Sequence, residues 1–178
     1  MRLPFMSALV LALGLTASFA SAQVTKENVQ GITNFSRVET TIACAGATSP
    51  SAVAEIKRRG YGAIINLRQA NEAGADLEGE AAAAKAAGIS YIHLPFNTAS
   101  PDPAVVDQFI GAVTAPANQP VFVHCASANR ASALWMIKRM LVDGWDADRA
   151  GTEAAALGLT SAPLKSFALE YVAAHKKQ

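Results

Sequence analysis

The chain has 178 residues, 51% of them hydrophobic, and 15 basic residues against 14 acidic ones. This length predicts one domain, and the apolar fraction excludes a disordered chain. A net charge of +1 gives no electrostatic reason to expect nucleic acid as a partner, since that requires clustered Lys and Arg. Two cysteines are too few for a disulfide-framework miniprotein or a four-cysteine zinc site.

The first 22 residues have the pattern of a cleaved secretory signal. Arg2 precedes an apolar run at residues 5–13, which is too short to span a bilayer, and an A-x-A site follows at residues 20–22. We expect cleavage after Ala22, which leaves residues 23–178 as a single domain in the periplasm or outside the cell. An uncleaved membrane anchor is the alternative. The early polar residue Thr16 disfavours it, and we expect no membrane association after cleavage.

Strand and helix patterns alternate along the rest of the chain, after a polar lead-in segment at residues 24–36. Short apolar runs predict strands at residues 38–43, 63–67, 90–94 and 120–124. Helices are predicted at residues 49–59, 77–87, 104–113, 130–142, 146–157 and 161–176. The alternation predicts an α/β fold, with a mostly parallel central sheet and helices on both faces.

Ligands of such sheets bind beyond the carboxyl ends of the strands, and here the loop after His124 contains the reactive groups. The predicted strand delivers Cys125 to a loop of small residues, and Arg130 begins the next helix. Small side chains allow successive backbone N–H groups to surround an anion beside a helix N-terminus. Such a site stabilises a thiolate, and the planar guanidinium can bind two oxygens of a tetrahedral anion. The sequence therefore predicts a nucleophile and an anion cradle together.

The motif His124-Cys125…Arg130, set between a strand and a helix, resembles the signature of the protein-tyrosine and dual-specificity phosphatase superfamily. More closely, residues 34–159 are similar to bacterial phosphatase-like domains that occur alone or fused to beta-lactamase-fold hydrolases. The segments that carry this similarity are residues 65–68, 87–95, 124–130, 144–145 and 156–159. The resemblance implies a cysteine-phosphatase-like fold.

The resemblance also implies a mechanism for phosphomonoester hydrolysis. Cys125 attacks phosphorus to form a phosphocysteine, and Asp102 protonates the leaving alkoxide. The phosphate oxygens are bound by Arg130 and by the backbone amides of the intervening loop, namely Ala126, Ser127, Ala128 and Asn129. The implied substrate is a small anionic molecule or a phosphoprotein, and no cofactor is required.

Three features of this chain depart from the superfamily pattern. Four residues separate Cys125 from Arg130, where the superfamily has five. Ala131 follows the arginine, where Ser or Thr is usual, and Ser132 comes one position later. Asp102 lies between two prolines at the start of a predicted helix, where an N-cap or turn role is the alternative to acid catalysis.

The short loop leaves other functions open. Six-residue cysteine loops resemble those of rhodanese-type sulfurtransferases, in which Cys125 would carry a persulfide. A third alternative is a non-catalytic anion-binding or redox-controlled module.

Cys44 is either a half-buried strand residue or a partner for Cys125, as a resolving thiol or in a disulfide. We expect no metal site, because the three histidines have no ligand spacing with each other or with the cysteines.

Overall fold

A computed structural model describes residues 23–38 and 40–176, so the predicted signal at residues 1–22 lies outside the described residues. This part of the chain contains the strands β1 (Val24–Lys26), β2 (Ser36–Val38), β3 (Ile42–Ala45), β4 (Ala63–Asn66), β5 (Ser90–His93) and β6 (Val121–His124). Its helices are α1 (Val53–Arg58), α2 (Leu77–Ala87), α3 (Pro103–Thr114), α4 (Asn129–Leu141), α5 (Ala147–Leu157) and α6 (Ala162–His175).

The strands form one sheet in the order β1-β2-β3-β6-β4-β5. The four strands β3, β6, β4 and β5 run parallel, and β1 and β2 extend one edge in antiparallel fashion. Parallel neighbours need crossover connections, which the helices provide. The predicted mostly parallel α/β sheet is confirmed. Its register aligns Ala45, His124, Asn66 and His93 in one row, so the loops that follow these strands meet at one edge.

Side chains of the central strand β6 alternate between two apolar layers. Val121 and Val123 pack into the larger layer, which contains residues of α3, α4, α5 and α6. Phe122 packs on the opposite face, into a smaller layer with residues of α1 and α2. All four residues of β6 are buried, as expected for a central strand of a sheet covered on both faces.

The predicted strand at residues 38–43 is wrong, because the chain turns within it. Thr41 N donates to Val38 O across the turn at 3.0 Å, which separates β2 from β3. The predicted lead-in segment at residues 24–36 also contains β1 and the first residue of β2. β1 is stabilised by pairing with β2, and β2 by pairing with β3. Local hydropathy does not indicate such pairing. The helix predicted at residues 49–59 begins as a 3-10 turn, Pro50–Ala52, followed by α1.

The other predicted elements agree with the structure to within one residue at each end. For four of the helices, the capping residues that mark the start are adjacent in sequence. Asp76, Asp102, Asp146 and Ser161 are N-caps whose side chains accept a hydrogen bond from a backbone N–H two or three residues later. The alternative N-cap role of Asp102 is therefore confirmed. Its carboxylate accepts from Ala104 N at 2.9 Å, and the residue is exposed.

This cap predicts how α3 responds to substitution of Asp102. Asp102→Ala should lower the free energy of unfolding by about 0.5–2 kcal/mol, because Ala104 N loses its acceptor, whereas Asp102→Asn should be nearly neutral. Urea unfolding at pH 7 measures both. Equal stability of the alanine variant and the wild type would contradict a stabilising cap.

Candidate active site

Cys125 continues β6 by one residue and marks the start of the candidate site. Its N–H donates to Ala45 O at 3.2 Å, so pairing with β3 extends to the cysteine itself. The side chain belongs to the larger apolar layer and is 1% exposed. A thiol in this position is fixed by the sheet rather than by the loop that follows it.

The loop from Cys125 to Arg130 packs against the end of β3. Ala47 N donates to Ala126 O at 3.0 Å, and Asn34 Nδ2 donates to Ser127 O at 3.4 Å. Gly46 makes this approach possible, since a Cβ there would lie 2.4 Å from Thr33 Oγ1 and 3.1 Å from Ala126 O. The first half of the loop is therefore held by backbone contacts on the β3 side.

The second half of the loop is held by the connection between α5 and α6. Asn129 Oδ1 accepts hydrogen bonds from Thr160 N at 2.8 Å and Ser161 N at 2.7 Å. Asn129 Nδ2 also donates to Ser127 Oγ at 3.3 Å. The sequence predicted only the backbone of Asn129 as functional. Its side-chain role could not be found there, because its partners lie 31 and 32 residues further along the chain.

The loop backbone turns at Ala128 and leaves several of its amides unpaired within the described residues. Ala128 has a φ of 74°, a left-handed conformation that lets the chain enter α4 sharply. The N–H groups of Ala126, Ser127, Asn129 and Arg130 donate to no acceptor in the described part of the chain. Unpaired amides at the start of a 13-residue helix are an arrangement that binds anions.

Arg130 is buried, and its guanidinium donates hydrogen bonds to several acceptors. Its Nη1 donates to Leu67 O at 3.0 Å and to Phe96 O at 3.1 Å, the carbonyls of the loops after β4 and β5. The Glu72 carboxylate accepts hydrogen bonds from both terminal nitrogens of Arg130, with Oε1 2.5 Å from Nη1 and Oε2 2.7 Å from Nη2. This end-on pair does not use the guanidinium edge formed by Nε and the second Nη2 hydrogen, and the Arg130 side chain also interacts with Cys125.

Glu72 is itself held by its neighbours in sequence. Gln69 N donates to Oε1 at 2.7 Å, and Arg68 Nε donates to Oε2 at 3.3 Å. Arg68 and Glu72 therefore form an ion pair four residues apart. The pairing of Glu72 with Arg130 was not predicted from the sequence, because 58 residues separate them.

These contacts fix the charge of both partners. Burial acts to raise the pKa of Glu72, but the hydrogen bonds from Arg130 and Gln69 outweigh it and lower the pKa to about 2. Burial acts to lower the pKa of Arg130, but the hydrogen bonds with Glu72 and the interaction with the nearby Cys125 raise it instead. Both groups are thus ionised at neutral pH.

Cys44 lies beside the candidate nucleophile in the same apolar layer, and both cysteines are free thiols. Burial raises the pKa of Cys44 well above its ordinary value, and the nearby Cys125 raises it further. The neighbouring hydroxyl of the buried Ser132 acts in the opposite direction but does not outweigh burial. Cys44 therefore stays a protonated thiol, and its pairing with Cys125 in a disulfide stays a prediction.

A buried polar network lies under the loop, on the α1–α2 face of the sheet. His124 Nε2 is 2.8 Å from Glu80 Oε1, and both side chains are at most 3% exposed. Glu80 Oε2 accepts from Asn66 Nδ2 at 2.8 Å and from Tyr91 OH at 3.4 Å. Asn66 Oδ1 in turn accepts from Arg68 N at 2.8 Å. A structural role of His124 fits this position, since its ring lies with Phe122 and Glu80 on the face of the sheet opposite to Cys125.

A pocket of about 540 Å³ opens above Arg130. It is lined by Gln69, Glu72, Thr98, Ala99, Ser127, Asn129, Arg130, Ser161, Pro163, Leu164 and Phe167. A second cavity of about 810 Å³ also reaches Ser127 and Asn129, from the side of β1 and β2. Asp102 and the buried Cys125 are both absent from this lining, and the Asp102 side chain caps α3.

Two further observations bear on other kinds of site. Within residues 23–38 and 40–176, no three or more His, Cys, Asp or Glu side chains form a cluster that could hold a metal ion. None of the helices in the same residues is both long and apolar enough to cross a membrane.

Sequence comparison identifies a family and a relative. The model for the phosphatase-like domain of beta-lactamase hydrolase-like proteins matches residues 34–142. The beta-lactamase hydrolase-like protein of Xylella fastidiosa (strain Temecula1) is 35% identical over 107 residues, which cover 58% of this chain and 24% of that protein. The matched region thus spans about a quarter of the relative's length.

Solved structures share the fold. The core catalytic domain of the PP-IP phosphatase SIW14 from S. cerevisiae, in complex with citrate, has a TM-score of 0.66 and 21% identity, covering 81% of this chain and 88% of that one. P. aeruginosa TpbA has a TM-score of 0.65 and 22% identity, covering 87% and 91%. Its cysteine-to-serine variant in complex with pTyr has a TM-score of 0.61 and 18% identity, covering 87% and 99%.

The Glu72–Arg130 pair predicts a pH-dependent stability. The pKa of Glu72 is about 2 in the folded protein against an ordinary 4.5, so its stabilisation is complete above pH 4.5 and is lost as the pH falls towards 2. Glu72→Gln should therefore cost roughly 1–3 kcal/mol at pH 7 and progressively less below pH 4.5. Denaturant unfolding at a series of pH values measures this gap.

Glu78→Gln provides the control, because Glu78 lies exposed on α2. It should show no comparable gap at any pH. A Glu72→Gln deficit that stays constant down to about pH 2 would mean that the carboxylate charge does not stabilise Arg130.

Proposed function

The chain belongs to the family of phosphatase-like domains of beta-lactamase hydrolase-like proteins, whose fold is that of cysteine-type phosphatases, and from this premise we propose that it hydrolyses phosphomonoesters with Cys125 as nucleophile. The observation that carries the proposal is the edge of Arg130 left by Glu72. Glu72 does not occupy this edge, the Arg130 side chain interacts with the neighbouring Cys125, and several loop amides are unpaired within the described residues. A tetrahedral dianion is the ligand that such donors bind most strongly.

The proposed reaction has two steps. The Cys125 thiolate attacks phosphorus, the S–P bond forms, and the bond to the ester oxygen breaks, with its electron pair going to the leaving oxygen. Water then attacks the phosphocysteine, the S–P bond breaks, and inorganic phosphate leaves with the thiolate restored. Arg130 and the amides of Ala126, Ser127, Ala128 and Asn129 stabilise the charge on the transferring oxygens in both steps.

Several contacts support the required geometry of the loop. Asn129 and Gly46 fix the loop on its two sides, so the amides are oriented before a substrate arrives. Preorganised donors cost little reorganisation during reaction, which is how they accelerate charge development. The four-residue spacing between Cys125 and Arg130 is accommodated by the left-handed Ala128.

The substrate belongs to the class of small anions or phosphoproteins. The structural neighbours TpbA and SIW14 are found with pTyr and citrate, respectively, and both of these ligands are anionic. The pocket of about 540 Å³ above Arg130 is large enough for one such group.

The proposal also includes export. The pattern of the first 22 residues supports a cleaved signal, so the active protein would begin at Gln23 in the periplasm or outside the cell.

Phosphate release by the reduced protein tests the nucleophile. Wild type should release phosphate from para-nitrophenyl phosphate, and Cys125→Ser should lose at least about 10³-fold in kcat/KM, because the reaction then lacks its thiolate. Cys44→Ala is the matched control and should keep most of the activity. No phosphate release by the wild type would contradict the proposal. A persulfide on Cys125 after exposure to thiosulfate, seen by intact mass, would support the sulfurtransferase alternative instead.

Expression of the full chain in a bacterial host tests export. Periplasmic fractions should contain a protein whose intact mass corresponds to residues 23–178. A full-length protein confined to the cytoplasmic fraction would contradict both cleavage and export.

A further inference from the structure

The pocket above Arg130 offers few groups that could move a proton. Among the described residues that line it, Glu72 and Arg130 are the only ionisable ones. The wall formed by the loop after β5 is made by Thr98 and Ala99. Neither of these side chains can donate a proton as an acid near neutral pH.

Glu72 cannot replace the missing acid. Its carboxylate is bound end-on by Arg130 and also accepts from Gln69 N and Arg68 Nε. A general acid works best when its pKa lies near the operating pH, and that of Glu72 is about 2. Protonating it would also leave the buried Arg130 charge without its counter-ion.

The Asp102 side chain is engaged at the N-terminus of α3. Its side chain accepts the hydrogen bond from Ala104 N that begins α3, and Pro103 and Pro101 restrict the backbone on both sides. To reach the pocket, the carboxylate would have to leave this cap and expose the helix N-terminus.

We propose, on the basis of the phosphatase function above, that this site cleaves phosphoryl groups without protonating the leaving oxygen. Its substrates are therefore those whose leaving oxygen is weakly basic, namely aryl phosphates or phosphoanhydrides, and not alkyl phosphates. In the first step the electron pair of the broken P–O bond stays on the leaving oxygen. That oxygen departs as an anion and takes its proton, where it takes one, from bulk water.

The walls of the pocket suit such leaving groups. Pro163, Leu164 and Phe167 of α6 form an apolar side against which an aromatic ring can pack. Gln69, Thr98 and Ser161 form a neutral polar side that can solvate a second phosphate. The shared chemistry is a stable oxyanion leaving group, and the two sources differ only in which wall they use.

A matched series of substrates tests the proposal on the mature protein. Para-nitrophenyl phosphate, phenyl phosphate and phenylethyl phosphate all present a ring to Phe167 but differ in the basicity of the leaving oxygen. Because general acid catalysis contributes roughly 10²–10⁴-fold, phenylethyl phosphate should be slower than para-nitrophenyl phosphate by at least that factor in kcat/KM. Adenosine diphosphate serves as the phosphoanhydride.

The substitution Asp102→Asn separates the two roles of that residue, since asparagine is also a good N-cap. The ratio of kcat/KM between good and poor leaving groups should stay the same as in the wild type. Asp146→Asn, the same change at the N-cap of α5, is the matched control. Any small effect of both variants should be uniform across the substrate series.

Two results would overturn the inference. One is comparable kcat/KM for phenylethyl and para-nitrophenyl phosphate, and the other is a selective loss of phenylethyl phosphate hydrolysis in Asp102→Asn. Failure to hydrolyse para-nitrophenyl phosphate at all would instead contradict the phosphatase function itself. Faster hydrolysis of adenosine diphosphate than of phenyl phosphate would support a phosphoanhydride substrate, and the reverse would support an aryl ester.

Discussion

The ion pair between Arg130 and Glu72 is the interaction on which the rest of the site depends. A buried guanidinium needs its charge balanced and its donors paired, and here a carboxylate and two backbone carbonyls do both. These acceptors come from the loops after β4 and β5, while Arg130 begins the helix after β6. The Arg130 side chain therefore connects three loops, and it also interacts with Cys125. Because its carboxylate is bound to Arg130, Glu72 does not serve as a general acid.

The sheet separates the reactive thiol from the polar network that supports its loop. Because side chains alternate along a strand, Cys125 enters the apolar layer of α3–α6 and His124 faces Glu80 under α2. The network continues from Glu80 through Asn66 to the backbone of Arg68, whose side chain binds Glu72. Both ends of the Cys125–Arg130 loop are thus connected to the same segment after β4, on opposite faces of the sheet.

Local signals predicted most of the elements, because they depend on residues close in sequence. The run at residues 77–87 is bounded by an N-cap aspartate and a left-handed C-cap glycine, and both act within one helical turn. The β2–β3 hairpin was missed because such short strands persist only through pairing with neighbours. The same limit applies to the site. The Cys125–Arg130 motif is local and was predicted, whereas Glu72, Glu80 and the side chain of Asn129 act on partners distant in sequence.

By itself, the sequence determined the α/β class, the position of the nucleophile at a strand end, and an anion cradle next to it. These follow from hydrophobic periodicity and from the chemistry of six consecutive residues. Only the tertiary structure decided which groups surround that cradle. It placed Glu72 on Arg130, kept Asp102 at a helix cap, and set neutral residues in the pocket wall. Contacts between loops depend on how the sheet aligns the ends of its strands, and no local pattern encodes that alignment.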